Sequence, residues 1–224
     1  MKRYTEFARS MGCSWTQSSS SEYIDIHERL LPYQRVLEFF EEVESEYEVL
    51  RYCNGANEKG RWIFQIYSIE FINELAGLLN IFQSTRKPRG IVLEVMSGDG
   101  KLMQFLKPLV KSEVIATDAR KGSYGIAYPK WVKNLDAIEA VSTYRPDVVV
   151  MAWEPFYSSV GLEIAETGYP MIWIGDRGHS AVHSGLFEKS YIKMNSKYAL
   201  GRHDSFVTRQ FETDIYLFNW SSAQ

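Results

Sequence analysis

Four short apolar runs in the second half of the chain constrain its fold more than any other feature. They are Ile91–Val95, Glu113–Asp118, Asp147–Trp153 and Met171–Asp176. Their hydrophobicity is continuous rather than alternating, as is typical of parallel strands that are covered on both faces. The segments between them are long enough for crossover helices. We therefore predict an α/β fold with a mostly parallel sheet.

Weaker patterns flank these four runs. Residues 130–134 are a candidate for a further strand, and residues 101–110 and 159–167 are candidates for crossover helices. The tail at 206–220 mixes polar and apolar positions, which favours a half-exposed antiparallel edge strand. The prediction is thus a Rossmann-like sheet with an antiparallel edge.

The first 87 residues have a different character. Residues 1–21 are polar and end in four serines, as in a linker, whereas 23–52 and 61–83 carry apolar residues at spacings of three and four. That period predicts two amphipathic helices. We expect residues 1–87 to form a tail and a helical extension on a core of 88–224, together one compact unit. The helices are expected to act either as a lid over a site or as a covering layer.

Composition excludes several classes of protein. The 224 residues are 45% hydrophobic and 14% aromatic, which excludes a disordered chain, and the net charge of −3 argues against nucleic acid as a partner. Cys13 and Cys53 are too few for a disulfide framework. Because no signal-like or membrane-spanning run occurs, we expect a cytoplasmic protein that does not bind membranes.

The segment VLEVMSGDGKL (92–102) is the most informative loop in the sequence. Glu94 lies in the first core strand, Gly98 and Gly100 form the turn that follows, and Asp118 closes the next strand. Glycines let a backbone turn tightly and approach a ligand. In open α/β sheets, ligands bind beyond the carboxyl ends of the strands, where an acid can hold the ribose hydroxyls of a nucleotide. The order of strand, glycine loop, helix and acid therefore predicts a nucleotide-like cofactor.

Two cofactors fit this order. A dinucleotide fingerprint GxGxxG places Met103 where its third glycine belongs, which weighs against NAD. The sequence resembles the class I S-adenosylmethionine (SAM)-dependent methyltransferases, whose first motif is an acid followed by alternating glycines. Glu94, Gly98 and Gly100 match this motif, Ser97 lies within it, and Met96 replaces its first glycine.

The resemblance also implies roles for residues further along the chain. It places Asp118 on the ribose, Ala119 beside the adenine, and Asp136 with Ala137 at the adenine amine. A family motif such as (D/N/S)PP(Y/F) corresponds to the run from Trp153 to Phe156, in which Glu154 replaces the first proline. The implied cofactor residues are Glu94, Met96, Ser97, Gly98, Gly100, Asp118, Ala119, Asp136, Ala137 and Trp153, and the implied substrate pocket contains Pro155, Phe156, Tyr157, Asp176 and His179.

Several of these residues also have a purely structural interpretation. Glu94 could hold loop amides, Asp118 could end a strand, and Asp136 could cap a helix. Tyr124, Tyr128 and Trp131 could cover the adenine or only pack. His179 and His183 have an i, i+4 spacing, but the Glu of an HExxH motif is absent and Gly178 and Gly185 flank them, so we expect loop histidines and no metal site.

The resulting hypothesis is a SAM-dependent methyltransferase that releases S-adenosylhomocysteine (SAH), with Glu154 as the candidate catalytic residue. The expected acceptor is a small molecule or a protein side chain. One alternative is a SAM-binding or SAH-binding module without catalysis. This alternative is favoured by the absence of a glycine at Met96 and by the altered run at Glu154. Another is an NAD-linked oxidoreductase. The sequence leaves the oligomeric state open.

Overall fold

A computed structural model describes six stretches of the chain: 26–46, 48–57, 59–84, 90–122, 124–180 and 185–220. The predicted linker, Cys13, Pro88 and His183 lie outside these residues. Within them, none of the helices combines the length and the hydrophobicity that crossing a membrane requires.

A seven-stranded sheet forms the centre of the molecule, with the order β4-β3-β2-β5-β6-β9-β7. Its strands are β2 (Ile91–Val95), β3 (Glu113–Asp118), β4 (Lys133–Asn134), β5 (Val148–Ala152), β6 (Met171–Gly175), β7 (Tyr191–Lys193) and β9 (Asp214–Phe218), and β1 (Gln65–Ile66) and β8 (Leu200–Gly201) form a separate pair. The strands β4, β3, β2, β5 and β6 are parallel to one another, whereas β9 is antiparallel to β6. The order of the first five is the 3-2-1-4-5 order of a doubly wound sheet, which confirms the predicted Rossmann-like α/β fold.

The antiparallel strand differs from its prediction in position. β9 pairs with β6 on one side and with β7 on the other, so it lies inside the sheet. All five of its residues are buried. The predicted antiparallel edge of the sheet is confirmed, but the expected half-exposure of this strand is wrong, because polar residues such as Thr213 precede it instead of alternating within it. The edge is the short β7, which the sequence pattern did not reveal.

The helices lie in or next to the predicted segments with shorter bounds, and the single helix predicted over 23–52 is two helices, the first of which begins only at Tyr33. They are α1 (Tyr33–Glu46), α2 (Val49–Cys53), α3 (Ile69–Ser84), α4 (Lys101–Leu106), α5 (Ala137–Tyr144) and α6 (Val160–Glu166), and Leu186–Glu188 is a short 3-10 helix. The predicted helix at 61–83 begins only at Ile69. Residues 61–68 are extended, because β1 pairs with β8 through Gln65 and Gly201.

Two apolar layers cover the sheet. One packs α3 and α4 against alternate strand residues such as Val92 and Val150. The other packs α5 and α6 against the intervening residues, including Leu93 and Val149. Because successive strand residues point to opposite faces, these continuous apolar runs fill both layers.

The N-terminal extension joins this core through shared packing. A third cluster combines apolar residues of α1 and α2 with Leu200 and Phe206 from the C-terminal part of the chain. The Cys53 thiol is fully buried in this cluster, and burial raises its pKa to about 12. The extension therefore brings residues 61–68 to the carboxyl ends of the core strands, next to the loop after β2.

Candidate functional site

A cavity of about 520 Å³ opens at the carboxyl ends of β2, β3 and β5. This is the point at which the strand order reverses, where open α/β sheets bind their ligands. Its walls come from the extension, from the loops after these strands and from the segment before β4. The lining residues are His27, Trp62, Phe64, Gln65, Tyr67, Glu94, Met96, Ser97, Gly98, Asp99, Asp118, Ala119, Lys121, Gly122, Tyr124, Ile126, Tyr128, Asp136, Ala152, Trp153 and Pro155.

The loop after β2 makes a tight turn in which three residues have positive φ. Gly98 and Gly100 adopt φ values of 56° and 73°, and Met96 adopts 53°. A β-carbon on Gly100 would collide with the ring of Trp131. Met96 thus occupies, with a side chain, the left-handed position where the methyltransferase motif has a glycine. Such a conformation costs a non-glycine residue about 1–2 kcal/mol.

Glu94 and Ser97 bring unsatisfied oxygen atoms to the cavity wall. Glu94 is 2% exposed, and burial raises the pKa of its carboxyl well above the usual value, against a hydrogen bond from the Met103 backbone. Among the described residues, neither Glu94 Oε2 nor Ser97 Oγ has a hydrogen-bond partner. Buried polar atoms are normally paired, so these two oxygens indicate the place of a ligand.

Asp118 ties the loops after β2 and β3 together at the cavity. Its Oδ2 accepts a hydrogen bond from the Gly98 N–H at 2.9 Å, and its Oδ1 accepts one from the Arg120 N–H at 2.6 Å. The Arg120 guanidinium covers the ring of Tyr128, whose phenol pKa is raised by burial and by the nearby Asp118. Each carboxylate oxygen accepts more than one bond, so Asp118 keeps capacity for a ligand.

Asp136 caps a helix and also lies on the cavity wall. Its Oδ1 accepts a hydrogen bond from the Ile138 N–H at 3.1 Å and caps α5, while the residue also lines the cavity. Lys121 Nζ lies 3.8 Å from its Oδ2. The helix cap therefore fixes this carboxylate at the cavity edge.

A charged cluster closes the cavity on the side of the extension. His27 Nε2 donates a hydrogen bond to Asp99 Oδ2 at 2.8 Å, and Glu28 pairs with Arg61 and with Lys101 Nζ, the latter at 2.5 Å. Burial alone would raise the pKa of Asp99, but the hydrogen bond and charge of His27, together with Lys101, lower it. Asp99 is thus held as a carboxylate.

Four aromatic side chains also line the cavity, and we call them the aromatic wall: Trp62, Phe64, Tyr124 and Trp153. The ring of Tyr124 lies 4.8 Å from that of Trp62 and 5.2 Å from that of Phe64. Trp153 has a positive φ of 58° and donates a hydrogen bond from Nε1 to Gln65 Oε1 at 3.0 Å. The β1–β8 pair therefore fixes the wall.

The structure brings most of the sequence-predicted site residues together. On the cavity wall are Glu94, Met96, Ser97, Gly98, Asp118, Ala119, Asp136, Trp153 and Pro155, and among the aromatic candidates Tyr124 and Tyr128. Outside it are Gly100, Ala137, Trp131, Glu154, Phe156, Tyr157, Asp176 and His179. Gly100 lies in the loop after β2 and faces Trp131 instead of the cavity. Ala137 is buried as the first residue of α5, and Tyr157 is 84% exposed.

Glu154 lies elsewhere than we predicted. Its carboxyl turns away from the cavity and accepts hydrogen bonds from the Gly161 N–H at 2.7 Å and from Trp173 Nε1 at 3.1 Å. Burial raises its pKa, against the bonds from Gly161, Ser158 and Trp173. The residue joins the end of β5 to α6 and does not reach the cavity, which contradicts the predicted position.

Asp176 and His179 form a pair behind the aromatic wall. Asp176 Oδ2 lies 2.5 Å from His179 Nδ1, and the ring of His179 stacks on that of His203 at 4.1 Å. His203 in turn faces the Trp153 ring at 5.6 Å, and burial lowers its pKa to about 4. This arrangement supports the wall from outside. The described residues contain no group of three potential metal ligands.

Sequence reasoning missed the cavity residues of the extension. His27, Phe64, Gln65 and Tyr67 were assigned to helices, because their segments are apolar at many positions. The available signal was the alternation of Trp62 and Phe64 with the buried Ile63, which is the period of an extended segment.

Comparisons with known proteins place the chain beside solved structures of low identity. No protein-family model and no curated protein matches the sequence. The structure is similar to the cofactor-bound crystal structure of Rv0187 from MTB, at 9% identity and a TM-score of 0.44, over 94% of this chain and 96% of that one. It is also similar to the plantazolicin methyltransferase BpumL in complex with SAH, at 14% identity and a TM-score of 0.32, over 80% and 72%.

A third similar structure is the methyltransferase subunit of a type I restriction-modification system from Streptococcus thermophilus. The identity is 11% and the TM-score 0.40, over 81% of this chain and 48% of that one. The chain spans about half the length of this protein, and 47% of two others. The fold class stated above rests on the strand order itself.

Proposed function

We propose that this protein binds SAM in the cavity and transfers its methyl group to a small molecule or a protein side chain. The observation that carries the proposal is the pair of buried, unpartnered oxygens of Glu94 and Ser97 on a cavity at the switch point of a doubly wound sheet. A cationic ligand with polar groups would satisfy them. The resemblance of the glycine loop to the class I methyltransferases points to the same cofactor.

The residues present fit this cofactor. Glu94 lacks a cationic partner among the described residues, and Asp118 and Asp136 add two carboxylates to the same side. SAM carries a sulfonium and an ammonium group, whose positive charges suit that side. Asp118 would hold the ribose, and Ala119, Tyr128 and Asp136 would surround the adenine.

When bound, SAM supplies a methyl group already activated by the sulfonium. The chain's own contribution is then to align the acceptor and to exclude water. The loop after β2, which contains Gly98, would position SAM, and the aromatic wall would confine the acceptor. This division requires few acid–base residues, consistent with Glu154 lying away from the cavity.

A second candidate function is a binding module that holds SAM or SAH without catalysis. Met96 favours it, since its side chain occupies the place of a glycine and lines the cavity. Glu154 also favours it, because the only acid–base residue predicted from the sequence serves α6 instead. The two functions differ in whether bound SAM is consumed.

The decisive experiment is calorimetric titration of the protein with SAM and SAH, with NADH as control. We expect micromolar binding of both sulfur compounds, equivalent to about −8 kcal/mol, and no binding of NADH. Binding of NADH alone would overturn the proposal in favour of an oxidoreductase. Absence of SAM and SAH binding would overturn both the methyltransferase and the binding module.

Incubation with SAM labelled in the methyl group then separates the two SAM-binding functions. A methyltransferase supplied with small-molecule acceptors releases SAH and labels one of them. A binding module returns intact SAM with every acceptor and in the presence of cell extract.

A further inference from the structure

A buried arginine, Arg202, packs against two rings of the aromatic wall and has no anionic partner in the part of the chain that the structure describes. Arg202 is 7% exposed, and its Nε has no hydrogen-bond partner among the described residues. No carboxylate described in the structure forms an ion pair with it. Buried charges are normally paired, because removing an ion from water is costly. Among the described residues, therefore, no anion compensates the positive charge of Arg202.

The guanidinium contacts the rings that form the wall. It lies 4.5 Å from the centre of the Phe64 ring and 5.8 Å from that of Trp62. Its backbone N–H donates to the Phe64 carbonyl at 3.1 Å, which fixes it to the extended segment. Burial lowers the pKa of Arg202, while the nearby Tyr124 phenol acts in the opposite sense. Stacking on aromatic rings compensates only part of the cost of a buried cation.

The wall itself fits a flat ligand. Trp62, Phe64, Tyr124 and Trp153 all line the cavity, and aromatic side chains bind planar rings by stacking or by edge contacts. The same cavity is lined by Glu94, Asp118 and Asp136. The cavity thus has an acidic side, which suits a cation, and an aromatic side backed by a positive charge, which suits an anion.

We propose that the aromatic wall is the acceptor subsite and that it takes a small planar aromatic molecule carrying a negative charge. The inference deepens the proposed function, on which it rests, by naming the substrate class. Arg202 attracts the anion from behind the rings, so it is a specificity-determining residue that does not touch the transferred methyl group.

The test uses two probes of the same shape and different charge, 2-naphthoate and 2-naphthamide. Each is titrated calorimetrically into the whole protein, alone and with saturating SAH. We expect naphthoate to bind about tenfold more tightly than naphthamide. In Arg202→Met this preference should fall to about twofold or less, through loss of naphthoate affinity. In Tyr124→Leu, where the side chain is 40% exposed, both probes should weaken equally.

Arg177 provides a matched control. Its guanidinium stacks on Phe187 at 4.6 Å, almost as Arg202 stacks on Phe64, but it lies outside the cavity. Arg177→Met should therefore leave the affinities of both probes unchanged. If Arg202→Met does not fold, Arg202→Gln serves instead and should likewise reduce the preference for naphthoate to about twofold or less, because it also removes the charge.

Three results would overturn the inference: no binding of naphthoate, equal affinities of the two probes for the wild-type protein, or equal losses of both in Arg202→Met. Titration with SAH alone tests the proposed function independently of the acceptor class. SAH binding without naphthoate binding would overturn only the acceptor class. Naphthoate binding without SAH binding would overturn the proposed function and keep an aromatic-anion site.

Discussion

The two sides of the cavity are built in opposite ways. The acidic side consists of residues at the ends of β2 and β3 and before α5, held by hydrogen bonds within neighbouring loops, such as that from Gly98 to Asp118. The aromatic wall combines residues that are distant in sequence, and Trp153 reaches Gln65 across 88 positions. A cofactor side made of local geometry and an acceptor side made of tertiary contacts can therefore change independently. The following four predictions test that independence.

The largest expected effect concerns the support of the aromatic wall. A β-carbon on Gly201 would collide with the Trp153 ring and with Thr213, both of which are buried. Gly201→Ala should therefore lower the free energy of unfolding by about 3 kcal/mol, measured by urea denaturation. Gly125→Ala is the control, since no atom lies within 4 Å of its added β-carbon. Equal stability of the two variants would show that the wall is not rigid.

The second prediction tests whether Glu154 belongs to either side of the cavity. Glu154→Ala leaves the buried Gly161 N–H and Trp173 Nε1 without their acceptor, which should cost about 2 kcal/mol of stability. The SAH affinity of the folded protein should stay unchanged, because the carboxyl does not line the cavity. Chemical denaturation and calorimetry measure the two quantities. A loss of SAH affinity at unchanged stability would return Glu154 to the site.

The third prediction separates the two sides through affinity. Asp118→Ala should weaken SAM binding by about tenfold, or ~1.4 kcal/mol, since it removes the carboxylate proposed to hold the ribose and releases the Gly98 loop. Tyr124→Leu, on the aromatic wall, should leave SAM affinity within about twofold. Calorimetric titration of both variants provides the comparison. Equal losses would mean that the cofactor spans both sides.

The smallest expected effect is the pH dependence that Glu94 contributes. Burial raises its pKa in the folded protein above the ordinary 4.5, so the folded state holds the proton more tightly. The stability gained by holding this proton is fully present when the pH is below the pKa of Glu94 in the unfolded chain. It is lost as the pH rises through the pKa of Glu94 in the folded protein. Glu94→Gln should remove this decline and be more stable at neutral pH by about 1 kcal/mol.

The control for this prediction is Glu139→Gln, because Glu139 is exposed on α5. Urea denaturation between pH 4 and pH 8 measures the free energy of unfolding of both variants. The pH profile of Glu139→Gln should follow that of the wild-type protein. A wild-type profile identical to that of Glu94→Gln would show that Glu94 is ionised without cost in the free cavity.

Much of the core follows from local pattern. The bounds of β2 and β3 agree with the apolar runs at 91–95 and 113–118, since residues buried on both faces leave an uninterrupted signal. The glycine loop and Asp118 were likewise predictable, because the loop directly follows the first of these apolar runs and Asp118 ends the second. The position of β9 was not, because pairing between strands distant in sequence leaves no periodic trace in either of them.

The sequence by itself determined the α/β class and the switch-point loop, which depend on residues near one another in the chain, and it singled out Glu94, Asp118 and Asp136 because each lies at the end of a predicted strand or at the start of a predicted helix. Only the tertiary structure decided the aromatic wall, the burial of Arg202 and the direction of the Glu154 carboxyl. The physical reason is that a side chain's direction depends on which partners the fold brings within hydrogen-bond or stacking distance. For Glu154 that partner was the N-terminal turn of α6, and for Trp153 it was Gln65.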